Sequence, residues 1–216
     1  MPLTPSEIRV IVIGAMLALF LAALDQTIVA TALPPIANDL GNFTLISWVV
    51  TAYLLTSTCA TPIVGKLSDL YGRRQLLRVC LALFIGGSAL CALAPAMVPL
   101  ILARALQGLG GGGLMTLAQA TIADVVSPRE RGRYAGYFSI VWGSSSVLGP
   151  TIGGIVTEHY GWPWIFWINL PIGLAALLVA DRALRKLPIH HHRSAIDYGG
   201  IALLSAATVA LLLLLS

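Results

Sequence analysis

Charged side chains are scarce in this chain of 216 residues. Lys, Arg, Asp and Glu together make up 10% of it, and 57% of the residues are hydrophobic. An ordinary soluble domain has roughly 25% charged and 45–50% apolar residues. The mean hydropathy of +0.87 points the same way. The length would suit one soluble domain, but this composition excludes that class and predicts a membrane protein.

Cysteine is also scarce, and no group of residues has the spacing of a catalytic or metal site. Cys59, Cys80 and Cys91 fall in apolar stretches without disulfide or metal-ligand spacing, so we interpret them as packing residues. The histidine run at 190–192 is typical of a solvated turn. Without a nucleophile, metal cluster or phosphate-binding loop, the sequence predicts a protein that is not an enzyme and uses no metal or organic cofactor.

Long apolar runs are abundant instead, each close to the roughly 20 residues that cross about 30 Å of hydrocarbon. They lie at residues 8–33, 45–64, 76–95, 98–123, 134–157, 163–181 and 197–216. Because the runs are about twice as long as a barrel strand and lack strict alternation, we predict helices. The predicted fold class is an all-α membrane protein: a six-helix bundle at 1–181, a cytoplasmic linker at 182–196 and a seventh transmembrane helix at 197–216.

The basic residues distinguish the two sides of the membrane. Lys and Arg precede the first predicted helix and follow the second, fourth and sixth, while the connections near 34–44, 95–98 and 158–163 have none. By the positive-inside rule the N-terminus and the basic connections face the cytoplasm, in a cell (plasma or inner) membrane. The net charge of +4 therefore reflects topology, and we expect no nucleic-acid partner.

Two ionisable residues stand out inside the predicted helices, Asp25 and Arg104. Each costs roughly 2.5–3.5 kcal/mol near the bilayer centre on insertion scales, and the helical rise places them at a similar depth. One interpretation is a structural ion pair, or an acid that caps a kink before Pro34. The other is a protonatable carboxylate in a central cavity, whose proton affinity changes with its distance from Arg104. Such a group would exchange a proton for a cargo.

Glycine is concentrated in the fourth and fifth predicted helices. Gly108 and Gly112 have the GxxxG spacing that lets a neighbouring helix approach closely. The same run imitates a dinucleotide-binding fingerprint, but it lacks the preceding strand. In the fifth helix, GPTIGG (149–154) surrounds Pro150, which removes a backbone hydrogen bond and is expected to bend the helix. Ordinary tight packing and a seal on the outward mouth are the two interpretations of this cluster.

The connection GKLSDLYGRR, residues 65–74, is too short to be a domain and predicts a tight turn. Its glycines would free the backbone, its acid would cap or pair, and its arginines would reach an acid at the inner end of the fourth helix. A plain topology anchor is the alternative. The residues concerned are Gly65, Asp69, Gly72, Arg73, Arg74 and Asp124.

These patterns resemble the N-terminal half of a major facilitator superfamily transporter, and more narrowly its fourteen-helix drug/proton antiporter branch. Residues 65–74 match the superfamily's loop motif, and LDQTIVATALP is similar to the helix-one motif of that branch. Ser145 departs from the helix-five antiporter motif, where the family has glycine. The matching positions are Arg104, Gln107, Gly108 and Gly110 in the proton-coupling motif of helix four, and Gly136, Gly149, Pro150, Gly153 and Gly154 in helix five.

The resemblance implies an exporter of hydrophobic or cationic small molecules that is driven by a proton gradient, with the lipid bilayer as its surroundings. Asp25 would bind the proton or cation, Arg104 and Gln107 would tune it, the helix-five motif would form an outer gate, and the loop motif with Asp124 would latch the inner mouth. A missing C-terminal bundle or a second copy would complete the pathway. Metabolite uptake on the same fold and an inactive truncated product are the alternatives.

Overall fold

The structure of the chain is a computed structural model that describes residues 4–127 and 129–184, together with residues 200, 203, 206, 207 and 210. The predicted linker beyond residue 184, including the histidine run at 190–192, lies outside the described residues. The predicted seventh helix at 197–216 also lies outside the described residues, except for the five single positions just named.

The described chain is built from helices. In chain order they are α1 (Pro5–Leu40), α2 (Ile46–Tyr71), α3 (Arg73–Ala92), α4 (Met97–Val125), α5 (Arg131–Tyr160), α6 (Pro163–Trp167) and α7 (Asn169–Leu184), with one 3-10 turn at Phe43–Leu45. Only Ile168 separates α6 from α7, and together they form one span. The described residues therefore hold six spans long and apolar enough to cross a membrane, which confirms the all-helical fold and six of the predicted helices.

The first helix is longer than predicted because it continues through two prolines. The sequence predicted a loop after residue 33, but Pro34 and Pro35 lie inside α1. Each proline removes one backbone hydrogen bond, which sequence reasoning treats as a helix end. Tertiary contacts hold the extra turns in place: Trp162 Nε1, at the start of α6, donates to Asp39 Oδ2 at 2.8 Å.

The predicted tight turn between the second and third helices is a single residue. α2 continues to Tyr71 and α3 begins at Arg73, so only Gly72 lies between them, with a φ of +90°. Glycine suits this position because it adopts a positive φ without steric strain. The prediction that Gly65 also frees the backbone is wrong, since Gly65 lies inside α2 and faces Thr116 of α4.

α4 is the central helix of the bundle. It packs against α1, α2 and α3, and its apolar stretch is 61% buried, more than that of any other described span. A Cβ added to Gly108 or Gly112 would overlap with backbone atoms of α2 at Tyr53 and Ser57, and one added to Gly110 would overlap with the backbone of α3. The glycine run thus lets two helices approach α4 at once.

Two other helices are poorly covered. Only 22% of the apolar stretch of α2 and 17% of that of α5 is buried, against 56% for α1. Along α5, Gly149 and Gly153 pack against α1, but a Cβ on Gly136 or Gly154 would meet no described atom within 4 Å. One face each of α2 and α5 is therefore left uncovered by the part of the chain that the structure describes.

Two adjacent glycines of α3 offer a matched test of the packing around α4. A Cβ on Gly87 would lie 2.8 Å from Cα of Gln107, whereas one on Gly86 would meet nothing within 4 Å. We expect Gly87→Ala to lower the free energy of unfolding by roughly 1–3 kcal/mol, because α3 and α4 must move apart. Gly86→Ala should preserve it, since alanine favours a helix. Thermal unfolding in one detergent checks both; equal midpoints would contradict the close approach.

Candidate functional site

The two ionisable residues that the sequence singled out form a buried ion pair. Arg104 Nη1 lies 2.6 Å from Asp25 Oδ2, and their side chains are 1% and 0% exposed. They meet where α4 packs against α1. Removing two charges from water is unfavourable unless further hydrogen bonds satisfy both groups. The residues around the pair therefore determine whether it is stable.

Three side chains donate to the Asp25 carboxylate. Besides Arg104, Gln107 Nε2 donates to Oδ1 at 2.8 Å and Asn169 Nδ2 donates to the same oxygen at 2.7 Å. Arg104 and Gln107 are three residues apart and share one face of α4, while Asn169 is the first residue of α7. All four residues are buried. This Asp25 cluster (Asp25, Arg104, Gln107 and Asn169) satisfies an ionised carboxylate inside the bundle.

The Arg104 guanidinium is also fixed by α2 and α6. Its Nε donates to the backbone oxygen of Val49 at 3.2 Å, and Nη1 donates to Gln107 Oε1 at 2.7 Å. The Cζ atom lies 4.2 Å from the centroid of the Tyr53 ring and 5.9 Å from that of Phe166. A cation over an aromatic face is favourable, more so when desolvated. The position of Arg104 therefore depends on three helices besides its own.

Sequence reasoning missed Asn169, Tyr53 and Ser88, which belong to this site. Asn169 contacts Asp25, Tyr53 stacks on Arg104, and Ser88 Oγ lies 3.0 Å from Asn169 Nδ2. The signal for Asn169 is an amide in the apolar stretch INLPIGLAALLVA, which a search for ionisable residues passes over. Tyr53 and Ser88 are common residue types in membrane helices, and only their contacts distinguish them.

Arg73 joins three helices at a second candidate region. We call this region the basic end, where α2 meets α3 and α4 leads to α5. Arg73 Nη2 lies 2.7 Å from Asp69 Oδ1, Nε lies 2.9 Å from Asp124 Oδ2, and Nη1 donates to Ser68 Oγ. The loop motif thus connects α2 and α3 to the end of α4 within this one bundle.

Arg74 does not reach Asp124 and pairs with α7 instead. Its Nε and Nη2 donate to the two oxygens of Asp181 at 2.9 and 3.0 Å, and Arg78 Nε donates to the same carboxylate. A bidentate arginine–carboxylate pair has a defined geometry as well as a favourable charge. Asp181 was not predicted; its signal is an acid beside Arg182 near the end of a span. These contacts tie α3 to α7 at the basic end.

A groove opens between α1 and α5 at the basic end. Its volume is about 790 Å³, within the size range of small-molecule pockets. Arg9, Glu130 and Arg133 bring charge to a lining that is otherwise mostly apolar and partly aromatic. The apolar and aromatic part includes Met16, Phe20, Tyr134, Tyr137 and Val141.

Known proteins share this bundle. The family model described as Major Facilitator Superfamily matches residues 15–215. The chain belongs to this superfamily. It is 42% identical over 204 residues to Multidrug resistance protein 3 of Bacillus subtilis (strain 168), covering 94% of this chain and 40% of that protein. It is 42% identical over 215 residues to Multidrug transporter protein MdtP of the same strain, covering 98% of this chain and 39% of that protein. It is 44% identical over 209 residues to the MFS-type efflux pump LUC4 of a Fusarium species, covering 94% of this chain and 37% of that protein.

A solved structure shares the fold. The human organic anion transporter MFSD10 (TETRAN) superposes with a TM-score of 0.77 at 23% sequence identity, over 93% of this chain and 54% of that one. The chain spans 37–40% of the length of the three curated relatives above. The superfamily and these relatives are transporters, not enzymes, and the six apolar spans make this a multi-pass membrane protein.

The buried ion pair predicts a non-additive effect on stability. We expect Arg104→Met to destabilise the protein by about 3–5 kcal/mol, because it leaves the Asp25 charge buried without its cation. Adding Asp25→Asn removes that charge and should restore much of the loss. Thermal unfolding of the single and double variants in the same detergent measures the difference. A double variant as unstable as Arg104→Met alone would contradict the buried-charge explanation.

Proposed function

We propose that the chain is the N-terminal bundle of a proton-coupled exporter of hydrophobic or cationic small molecules, with the proton gradient as its energy source. The Asp25 cluster is the observation that carries the proposal. A buried ion pair is often no more stabilising than apolar residues of the same volume, so stability alone does not require an ionisable group here. The multidrug and efflux names of the relatives support the direction of transport and the class of cargo.

Asp25 is the group that binds the proton or cation. In its ionised form the carboxylate attracts Arg104 and joins α1 to α4. Protonation removes that attraction and leaves the guanidinium with Gln107, Val49 and the Tyr53 ring. A rearrangement that separates the two side chains disfavours the ionised form, so proton binding and conformation are linked.

The helix-five motif forms the outer gate. Gly149 and Gly153 let α5 lie directly against α1, and Thr27 Oγ1 of α1 donates to the backbone oxygen of Ser145 at 2.9 Å. Pro150 lacks a backbone N–H, which weakens the helix between these glycines and permits bending. Gly136 and Gly154 contribute from the uncovered face of α5, where a second bundle would pack.

The loop motif forms the inner latch. Arg73 connects Asp69 and Asp124, so the ends of α2, α3 and α4 are held together at the basic end. Gly72 permits the sharp reversal on which this geometry depends. Arg74 extends the same network to Asp181 of α7. Breaking these contacts would allow the inward mouth to open.

A second bundle, or a second copy of this one, covers the exposed faces of α2 and α5 and completes the cargo pathway between bundles. The low burial of these two helices and the greater length of the relatives support this arrangement. The residues beyond α7 supply the linker to residue 196 and a seventh transmembrane helix at 197–216, as in the fourteen-helix branch. The groove at the basic end provides this bundle's share of the cargo surface.

The basic end faces the cytoplasm of a cell (plasma or inner) membrane, which places the N-terminus inside. The clustering of Arg73, Arg74, Arg131 and Arg133 at one end supports this orientation.

A cysteine introduced at His159, at the opposite end of α5, should react with an impermeant maleimide in intact cells. Reaction only after permeabilisation would reverse the assignment.

Neutralising Asp25 should abolish coupled efflux. We expect Asp25→Asn to reduce export of a fluorescent cationic dye to the level of cells without the transporter, because the side chain can no longer exchange a proton. Glu158→Gln, an exposed acid near the end of α5, is the matched control and should pump normally. Efflux from cells, normalised to the amount of each variant in the membrane, is the measurement.

Two results would contradict this function. Pumping of dye against a gradient by Asp25→Asn at the wild-type rate would exclude Asp25 from coupling. In reconstituted vesicles with an internal pH indicator, exchange requires cargo and protons to cross in opposite directions. Movement in the same direction would instead identify proton-coupled uptake.

A further inference from the structure

The Asn169 side chain has one polar atom without a partner. Its Nδ2 donates to Asp25 Oδ1 at 2.7 Å and lies 3.0 Å from Ser88 Oγ, whereas Oδ1 makes no hydrogen bond with any described residue although Asn169 is 1% exposed. Buried acceptors are nearly always satisfied, because an unpaired one loses its hydration without compensation. An orphaned carbonyl beside the buried carboxylate therefore calls for a physical reason.

A protonated Asp25 requires a hydrogen-bond acceptor, and its three partners differ in their ability to provide one. Arg104 has donors only. Gln107 is held in its present orientation, since its Oε1 accepts from Arg104 Nη1 at 2.7 Å and from Cys91 Sγ at 3.5 Å. Asn169 has no such restraint: no donor holds its Oδ1, and the Ser88 hydroxyl can either donate or accept.

We propose that Asn169 is a positioning residue that responds to protonation of Asp25 by inverting its side-chain amide. When Asp25 is ionised, Asn169 Nδ2 donates to it, as in this structure. When a proton binds Asp25, the amide turns by half a revolution, so that Oδ1 accepts the new O–H and Nδ2 takes the position that Oδ1 holds in this structure. The proposal rests on the proposed role of Asp25 in proton binding, and the O–H of Asp25 is the only bond that forms.

Ser88 transmits this inversion to α6. Its hydroxyl donates to the backbone oxygen of Phe166 at 2.9 Å, which ties α3 to α6 beside the break at Ile168. After inversion, Asn169 Oδ1 replaces Nδ2 next to Ser88, and the hydroxyl donates to Oδ1 instead. Proton binding thereby removes one of the contacts between α3 and α6.

The other groups around Asp25 do not offer this response. The titratable neighbours are Arg104 from α4, Tyr53 from α2 and Cys91 from α3. The Tyr53 hydroxyl lies against Gly111 of α4. The residues that α5, α6 and α7 bring to this region, Ser145, Phe166 and Asn169, do not titrate.

Infrared difference spectroscopy measures the acceptor role directly. The purified full-length protein in lipid nanodiscs is taken from neutral to acid pH, and the C=O band of protonated Asp25 is assigned by its loss in Asp25→Asn. We expect this band to shift to higher frequency in Asn169→Leu, because the carboxyl O–H loses its acceptor. Asn38→Leu, the same change at an exposed asparagine of α1, should leave the band unchanged.

A labelled protein makes the test independent of whether Asn169→Leu folds. This chain contains three asparagines, Asn38, Asn42 and Asn169, which can be labelled with carbon-13 at the side-chain carbonyl. We expect one labelled amide band to change together with the Asp25 band during acidification. The change should persist when Asn38 and Asn42 are both replaced by leucine and should be lost in Asn169→Gln, whose side-chain carbonyl is unlabelled, which assigns it to Asn169.

The failure of this proposal differs from the failure of the proposed function. If the Asp25 band appears but is unmoved in Asn169→Leu, and no labelled amide responds to acid, Asn169 is not the acceptor and Asp25 still binds a proton. If no Asp25 carboxyl band appears and Asp25→Asn retains full efflux, proton coupling at this site is wrong, and the Asn169 proposal is overturned with it.

Discussion

A charge buried among membrane helices must be neutralised and hydrogen-bonded where it lies, because neither lipid nor apolar side chains can solvate it. The Asp25–Arg104 pair imposes this constraint on the whole bundle. No single helix can surround both groups, so α1 supplies the acid, α4 the cation and Gln107, and α2, α6 and α7 the remaining partners. The relative positions of five helices therefore depend on one ion pair.

Glycine makes this arrangement sterically possible. The run through Gly108, Gly110 and Gly112 brings α2 and α3 to the surface of α4, so Tyr53 stacks on Arg104 and Ser88 contacts Asn169 beside Asp25. The ion pairs at the basic end are partly exposed, and an exposed pair contributes little to the free energy of unfolding. Breaking a buried pair by removing one partner is far more destabilising. Partly exposed pairs of this kind are therefore weaker constraints on the bundle than the buried Asp25–Arg104 pair.

The outcome of sequence reasoning differed between residue types. Asp25 and Arg104 were found because an ionisable side chain within an apolar run is conspicuous, whatever its partner. Asn169 and Asp181 were missed because an amide, or an acid at a helix end, is unremarkable until its partner is known. Helix ends were missed for the same reason: the apolar run predicted the end of the first helix at residue 33, but the contact between Asp39 and Trp162 holds α1 to Leu40.

The sequence by itself determined the membrane class, six of the spans, the glycine faces and the two intramembrane charges, because hydropathy, helical periodicity and residue charge are local properties of the chain. Tertiary structure alone decided that Asn169 and Gln107 share one oxygen of Asp25, that Arg74 pairs with Asp181 instead of Asp124, and that the described residues leave one face each of α2 and α5 uncovered. The physical reason is distance along the chain. Asp25 and Asn169 are 144 residues apart, and only the packing of α1 against α7 brings the amide to the carboxylate.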